Sequence, residues 1–331
     1  MFLQQVNQGK NNWWRWLLTI LFTIIGYVIG QVPLFIVMTN AVTKSNDGVL
    51  DLLEVEELAQ SMNFDAYGIN PNMVLVMVLL MFVFAMLGLW FGVATLHKRP
   101  FRSLITPMKN INWSKIFFAF GLWTFFSLVL EGASYLMDTE NYIFNFEAAT
   151  FFPLLIIALT LLPIQTSFEE IFMRGYLMQG MSSWAPMRWI PLVLTSVIFG
   201  GMHIMNPEVR EFGLGIMMTY YMGVGLFLGI ITLMDDSLEL ALGVHAATNI
   251  FGALFVTFES SALQTPAIFR LKEVDVTWMI PVFFIAAAAF TFICAKKYGW
   301  TDWSNVYGPI QHPNNNAETE LADSGLLDDS L

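Results

Sequence analysis

The chain has 331 residues, of which 56% are hydrophobic and 12% are charged. A soluble domain holds about 45–50% apolar residues and about 25% charged ones; with a mean hydropathy of +0.61, a soluble enzyme is excluded. The net charge of −11 sits mostly in two places: segment 43–70 holds six acids and one base, and 301–331 holds six acids and no base. Those are solvated loops, and no nucleic-acid partner is implied. The single cysteine, Cys294, cannot form an internal disulfide.

A spanning helix needs about 20 largely apolar residues. In chain order the first run, 16–42, is too long for the core of a signal peptide and lacks a small-residue cleavage site, so it reads as a retained span. Segment 43–70 predicts a short surface-lying helix that Asp47 could cap. Spans at 72–96 and 116–137 follow. The fourth, 149–181, is too long for one straight crossing, because 33 residues at 1.5 Å each extend about 50 Å against a core of about 30 Å. Pro163 near its middle predicts a bend, with the last turns emerging from the membrane. Further runs lie at 189–205, 213–234, 238–258 and 276–295. The expected fold is an all-α polytopic membrane protein of about eight transmembrane helices. With both termini inside, the inner segments hold ten Lys and Arg and the outer segments four, which predicts cytoplasmic termini. Trp13, Trp14, Trp16, Trp184, Trp189, Trp300 and Trp303 stand where an interfacial belt is expected. The acidic tail, with Pro313 and three consecutive Asn, is expected to be disordered.

Ionisable groups inside spans are costly and mark function by default. Here they are Glu131 in the third span, Glu169, Glu170 and Arg174 in the fourth, His203 in the fifth, and His245 beside Asn249 in the seventh. His97 falls in a basic loop and His312 in the tail. Glu170 and Arg174 are four apart and can pair on one helix face. Glu169 lies about 100° round the helix, so it can face a cavity while Glu170 is paired. His245 and Asn249 share a face, as do Phe199 and His203. The plain structural alternatives are a packing ion pair for Glu170 and Arg174, a hydrogen bond to a neighbouring span for Glu131, and helix contact for Gly225-x-x-x-Gly229. Two histidines, a free carboxylate and an Asn on three helices are harder to explain as packing.

Three motifs stand in order: Glu169-Glu170-x-x-x-Arg174, Phe199-x-x-x-His203 and His245-x-x-x-Asn249. In them the chain resembles the CAAX protease and bacteriocin-processing family, also called CPBP or Abi, of intramembrane endopeptidases. Many members have Phe where this chain has Met173. The resemblance implies peptide-bond hydrolysis in an intramembrane cavity open to the cytoplasm. It divides the chain into a three-span N-terminal region (1–147), a catalytic core (148–258), a region with the last span (259–300) and the tail (301–331). The implied partners are membrane lipid and a membrane-associated or lipid-modified peptide.

Hydrolysis needs a base for water, a stabiliser for the oxyanion and an acid for the leaving amine. Glu169 suits the acid–base role, His203 can orient the water, and His245 with Asn249 can donate to the oxyanion. Glu170, Arg174 and Phe199 would hold these groups in place. No metal is favoured, since the helical His-Glu-x-x-His arrangement is absent. Were zinc held instead, Glu169, His203 and His245 would be its ligands, with the fourth position open. Two rivals are a catalytically silent membrane chaperone or bacteriocin-immunity protein, and a transporter. The first has no need of the full polar set, and the second is expected to show repeated halves, which the sequence lacks.

Overall fold

Apolar runs facing lipid must satisfy their backbone N–H and C=O groups internally, which leaves helices as the building units. The computed structural model describes residues 1–61 and 64–311. The helices are α1 (Trp13–Ser45), α2 (Leu52–Ser61), α3 (Pro71–Gly92), α4 (Trp113–Met137), α5 (Ala148–Thr160), α6 (Leu162–Glu170), α7 (Gln179–Met181) and α8 (Trp189–Met202). After them come α9 (Pro207–Phe212), α10 (Leu214–Asp235), α11 (Glu239–Leu254), α12 (Val276–Tyr298) and α13 (Ser304–Tyr307).

Helices occupy all eight expected segments, but among the described residues six are long and apolar enough to cross a membrane. The other two are short. The 14 residues of α8 and 16 of α11 extend only about 21 and 24 Å. α11 runs inside the bundle, with every residue from Glu239 to Ala247 buried.

The fourth segment is interrupted, as Pro163 predicts. α5 ends at Thr160, and Pro163 stands in the first turn of α6, where its missing N–H leaves no gap in the ladder. A π-helical stretch, Ile171–Met178, then leads into α7. These last turns are covered by protein: Met173, Arg174, Gly175, Tyr176, Met178 and Gln179 are all buried.

One end of the bundle gathers both ends of the described chain. The Phe2 N–H donates to Asp236 at 2.7 Å, the Leu3 carbonyl accepts from Ser182, and Arg188 donates to Asn305 at 3.1 Å. Residues 301–311, expected to begin a disordered tail, instead carry α13 and a bridge from Pro309 to Met187. The rest of that expectation, 312–331 with His312, lies outside the described residues. His97 is not a loop residue: it ends the π-helical turn after α3, fully buried, between the Lys10 carbonyl and the Tyr176 hydroxyl.

The opposite end is built from the connections. A three-stranded sheet of order β1 (Tyr142–Phe144), β3 (Phe269–Leu271) and β2 (Val256–Thr257) ties two of them together, with Ile143 paired to Arg270. Glu131 bonds to the Tyr142 hydroxyl of β1, not to a neighbouring span; burial and this bond push the Tyr142 hydroxyl up to about 12. The helix expected in 43–70 is α2, but its first-turn N–H groups are taken by Asp51, whereas Asp47 has a left-handed backbone. Val55 and Leu58 pack against Leu34, Met38 and Val42 of α1.

Charge separates the two ends. The remote connections hold Asp47, Asp51, Glu54, Glu56, Glu57, Asp65, Asp138, Glu140, Glu147, Glu208, Glu211, Glu259, Glu273 and Asp275 against Lys44, Arg210, Arg270 and Lys272. The end with the termini holds ten Lys and Arg against Asp235, Asp236, Glu239 and Asp302 through residue 311.

Candidate active site

Glu169 and Glu170 occupy the last turn of α6, and Arg174 follows in the π-helical stretch. Such stretches often accompany functional sites, since they shift side chains off the regular helical face. Arg174 Nη1 meets Glu170 Oε1 at 2.7 Å, and both side chains are fully buried. Arg174 Nη2 donates to the Gly225 carbonyl of α10 at 2.9 Å, and the guanidinium lies over the Phe199 ring at 4.8 Å. Gly225 lets α8 and α10 approach, because a Cβ there would meet Ser196 Cα at 2.9 Å.

Glu170 has a second partner. Its Oε1 accepts from His245 Nδ1 at 2.8 Å. A carboxylate accepts only, so Nδ1 carries the hydrogen and Nε2 is left to face the cavity. There Nε2 lies 3.6 Å from Glu169 Oε2, too far for a direct hydrogen bond and suited to a shared water. Glu169 is 8% exposed and His245 6%, which leaves each an opening onto the cavity.

His203 stands at the C-cap of α8, one position past its last helical residue. Its Nδ1 donates to the Phe199 carbonyl at 2.7 Å, and its ring stacks on Tyr221 at 4.4 Å. The expected His245–Asn249 pair of oxyanion donors does not form as such. Asn249 donates one amide hydrogen to Gln165 Oε1 at 2.9 Å, and Gln165 in turn donates to Glu169. The polar set is thus held as two strands, Arg174–Glu170–His245 and Asn249–Gln165–Glu169, which meet at the gap between Glu169 and His245.

These groups line a cavity of about 750 Å³ whose walls are otherwise mainly apolar, with Tyr27, Phe82, Trp123 and Phe172 among them. Imidazoles that donate Nδ1–H to a carboxylate or carbonyl often ligate metal through Nε2, so the donor chemistry would suit zinc. Among the described residues no three His, Cys, Asp or Glu side chains are grouped to hold a metal ion.

Residues 149–251 match the Rce1-like family, described as type II CAAX prenyl endopeptidase Rce1-like. The chain is also 30% identical over 300 residues to the uncharacterized protein YyaK of Bacillus subtilis (strain 168), a match that spans 86% of this chain and 91% of that one. The chain belongs to the Rce1-like family. No solved structure matches it. The Rce1-like stretch contains Glu169, Glu170, Arg174, Phe199, His203, His245 and Asn249.

In this Rce1-like chain the cavity runs away from the termini. Its walls extend from Phe172 in mid-bundle to Gln60 of α2, Glu208 of α9 and Ser261, all at the remote end. No lining residue comes from 98–112, 182–188, 236–238 or 299–311, the connections at the other end. Where the lining reaches the connections between helices, it does so at the end away from the termini. Sequence reasoning also missed Gln165, Tyr221 and Glu208. Gln165 carried a signal, four residues before Glu169 on the same face; Glu208 looked like an ordinary loop acid. In the structure burial raises the Glu208 carboxyl above the usual range, against the opposing hydrogen bond from Ala262.

Proposed function

We propose that this chain is an intramembrane endopeptidase that hydrolyses peptide bonds of membrane-associated or lipid-modified peptides, with a water activated between Glu169 and His245. The observation that carries this reading is the 3.6 Å gap between Glu169 Oε2 and His245 Nε2, at the wall of an apolar cavity. Glu169 takes a proton from the water as its oxygen bonds to the scissile carbonyl carbon. The second amide hydrogen of Asn249 is available to the oxyanion so formed. The proton on Glu169 then passes to the leaving nitrogen as the C–N bond breaks, releasing an acid and an amine. His203 Nε2, left as an acceptor, receives a substrate N–H or a water hydrogen. His245 keeps its orientation through Glu170 and Arg174. The chemistry needs no metal.

The ten-to-four Lys and Arg split supports cytoplasmic termini. The cavity then opens on the outer face, and substrates reach it from there or from the outer half of the bilayer.

The deciding experiment is digestion of a peptide library by the purified full chain in detergent, with and without exhaustive chelation. Glu169→Gln is the control. Cleavage that survives chelation and is lost by about 10²–10⁴-fold in Glu169→Gln is expected. Cleavage unaffected by Glu169→Gln refutes the assignment.

A further inference from the structure

The cavity is one-sided in charge. Its lining includes the carboxyl groups of Glu169 and Glu208 and no Lys or Arg. Glu169 is engaged by Gln165 and faces His245, whereas Glu208 takes no part in the hydrolysis described above. Glu208 is 9% exposed, and its surroundings satisfy half of it. Oε1 accepts the Ala262 N–H at 2.7 Å, while Oε2 is buried with no hydrogen-bond partner among the described residues. The Tyr221 hydroxyl accepts from Asn206 at 3.1 Å and keeps its own hydrogen for this carboxylate, a neutral donor that leaves the charge unpaired. No salt bridge reaches it among the described residues: Arg210 donates to Gln60, and Arg270 pairs with Glu259 at 3.3 Å.

A buried carboxylate with no cationic partner is costly, and a cation brought to it gains a charge-assisted bond. The position is apt for a substrate group, because the Tyr221 ring joins Glu208 to His203, on which it stacks at 4.4 Å. The remote connections reinforce it. Their fourteen acids against four bases raise the local concentration of cations at the cavity mouth.

We propose that Glu208 is the subsite for a cationic side chain, Lys or Arg, of the peptide that enters this cavity, and that the substrates are peptides with a basic residue close to the cleaved bond. That the bound peptide is a substrate rests on the endopeptidase reading; the subsite rests on Glu208 alone.

The test uses the purified full chain in detergent and short apolar peptides, N-acetylated and C-amidated. One central position is Lys, Arg, norleucine or Glu. Binding is read by fluorescence anisotropy and cleavage in parallel. Wild type is expected to bind the Lys and Arg peptides about tenfold to hundredfold more tightly than the norleucine peptide. In Glu208→Gln that ratio is expected to fall close to one, because the amide still accepts from Ala262 but carries no charge. Glu208→Asp, which keeps the charge, is expected to retain part of the ratio, and Glu259→Gln, at an exposed acid of the same face, all of it. A wild-type ratio near one overturns the proposal without any variant, as does a ratio that persists in folded Glu208→Gln. Binding with the expected ratio but no cleavage of any peptide removes the endopeptidase reading and leaves the subsite standing. Cleavage without charge preference does the reverse.

Discussion

Arg174 carries three neighbours at once: it neutralises Glu170, caps the Gly225 carbonyl and lies over Phe199. Removing it leaves a buried carboxylate with only His245 for company. Arg174→Ala is therefore expected to cost about 3–5 kcal/mol of stability, read as a lowered thermal midpoint in detergent. Glu169→Gln, at the cavity wall, is expected to leave that midpoint within about 0.5 kcal/mol of wild type. Equal midpoints for the two variants would reverse the division between support and chemistry. Much at this scale was legible. The four-residue spacing of Glu170 and Arg174 fixes their pairing, and the 100° offset sends Glu169 to the cavity. Illegible was the order of connection across helices. Nothing in the spacing of His245 says that Nδ1 goes to Glu170, or that Asn249 is spent partly on Gln165, because those bonds depend on how α11 meets α6.

Helices α1 and α3 meet along glycines. A Cβ at Gly30 would lie 2.5 Å from Met81 Cα, and Gly26 and Gly88 face equally close backbone on the partner helix. Without a hydrophobic drive between helices in lipid, such close backbone approach is what holds a pair together. Gly30→Leu is expected to force α1 off α3 and destabilise the fold by at least about 1–3 kcal/mol, measured by thermal unfolding or by loss of the monodisperse peak in detergent. Gly121, whose added Cβ meets nothing within 4 Å, supplies the control: Gly121→Leu is expected to leave the fold unchanged. Element boundaries were readable where lipid dictates length, as in α3, α4, α10 and α12. What hydropathy did not show is where protein replaces lipid around the fourth segment, whose expected bounds, 149–181, match the observed run Ala148–Met181. The burial of residues 173–176, 178 and 179 comes from neighbouring protein, and hydropathy alone cannot distinguish the two apolar surroundings.

Through residue 311 charge divides along the molecule, ten Lys and Arg against four acids at the end with the termini and four against fourteen at the end the cavity lining reaches. Retention of Lys and Arg on the cytoplasmic side sets the orientation of such chains. Reporter fusions within 45–61 are expected to report the outside and a fusion after residue 300 the inside. The opposite pattern would turn the cavity mouth toward the cytoplasm and with it the origin of the substrate. This scale was half legible: the charge split was visible in the sequence, but the direction of the cavity needed the positions of Gln60, Glu208 and Ser261.

The shortness of α8 has a consequence for the surrounding lipid. About 21 Å of helix stands in a hydrocarbon layer of about 30 Å, with Val193, Val197, Ile198 and Met202 exposed on its flank. The layer must pinch beside it, or the polar turn at His203 sinks below the headgroups, and either adjustment costs a fraction of a kcal/mol per Å. On the proposed reading, a dimple of this kind lets a peptide bond at the lipid surface reach Glu169 and His245 without being dragged to the bilayer centre. Turnover in reconstituted vesicles is then expected to follow acyl-chain length, highest in thin 14-carbon lipids and falling through 18- and 22-carbon ones, with the detergent-solubilised rate as the common reference.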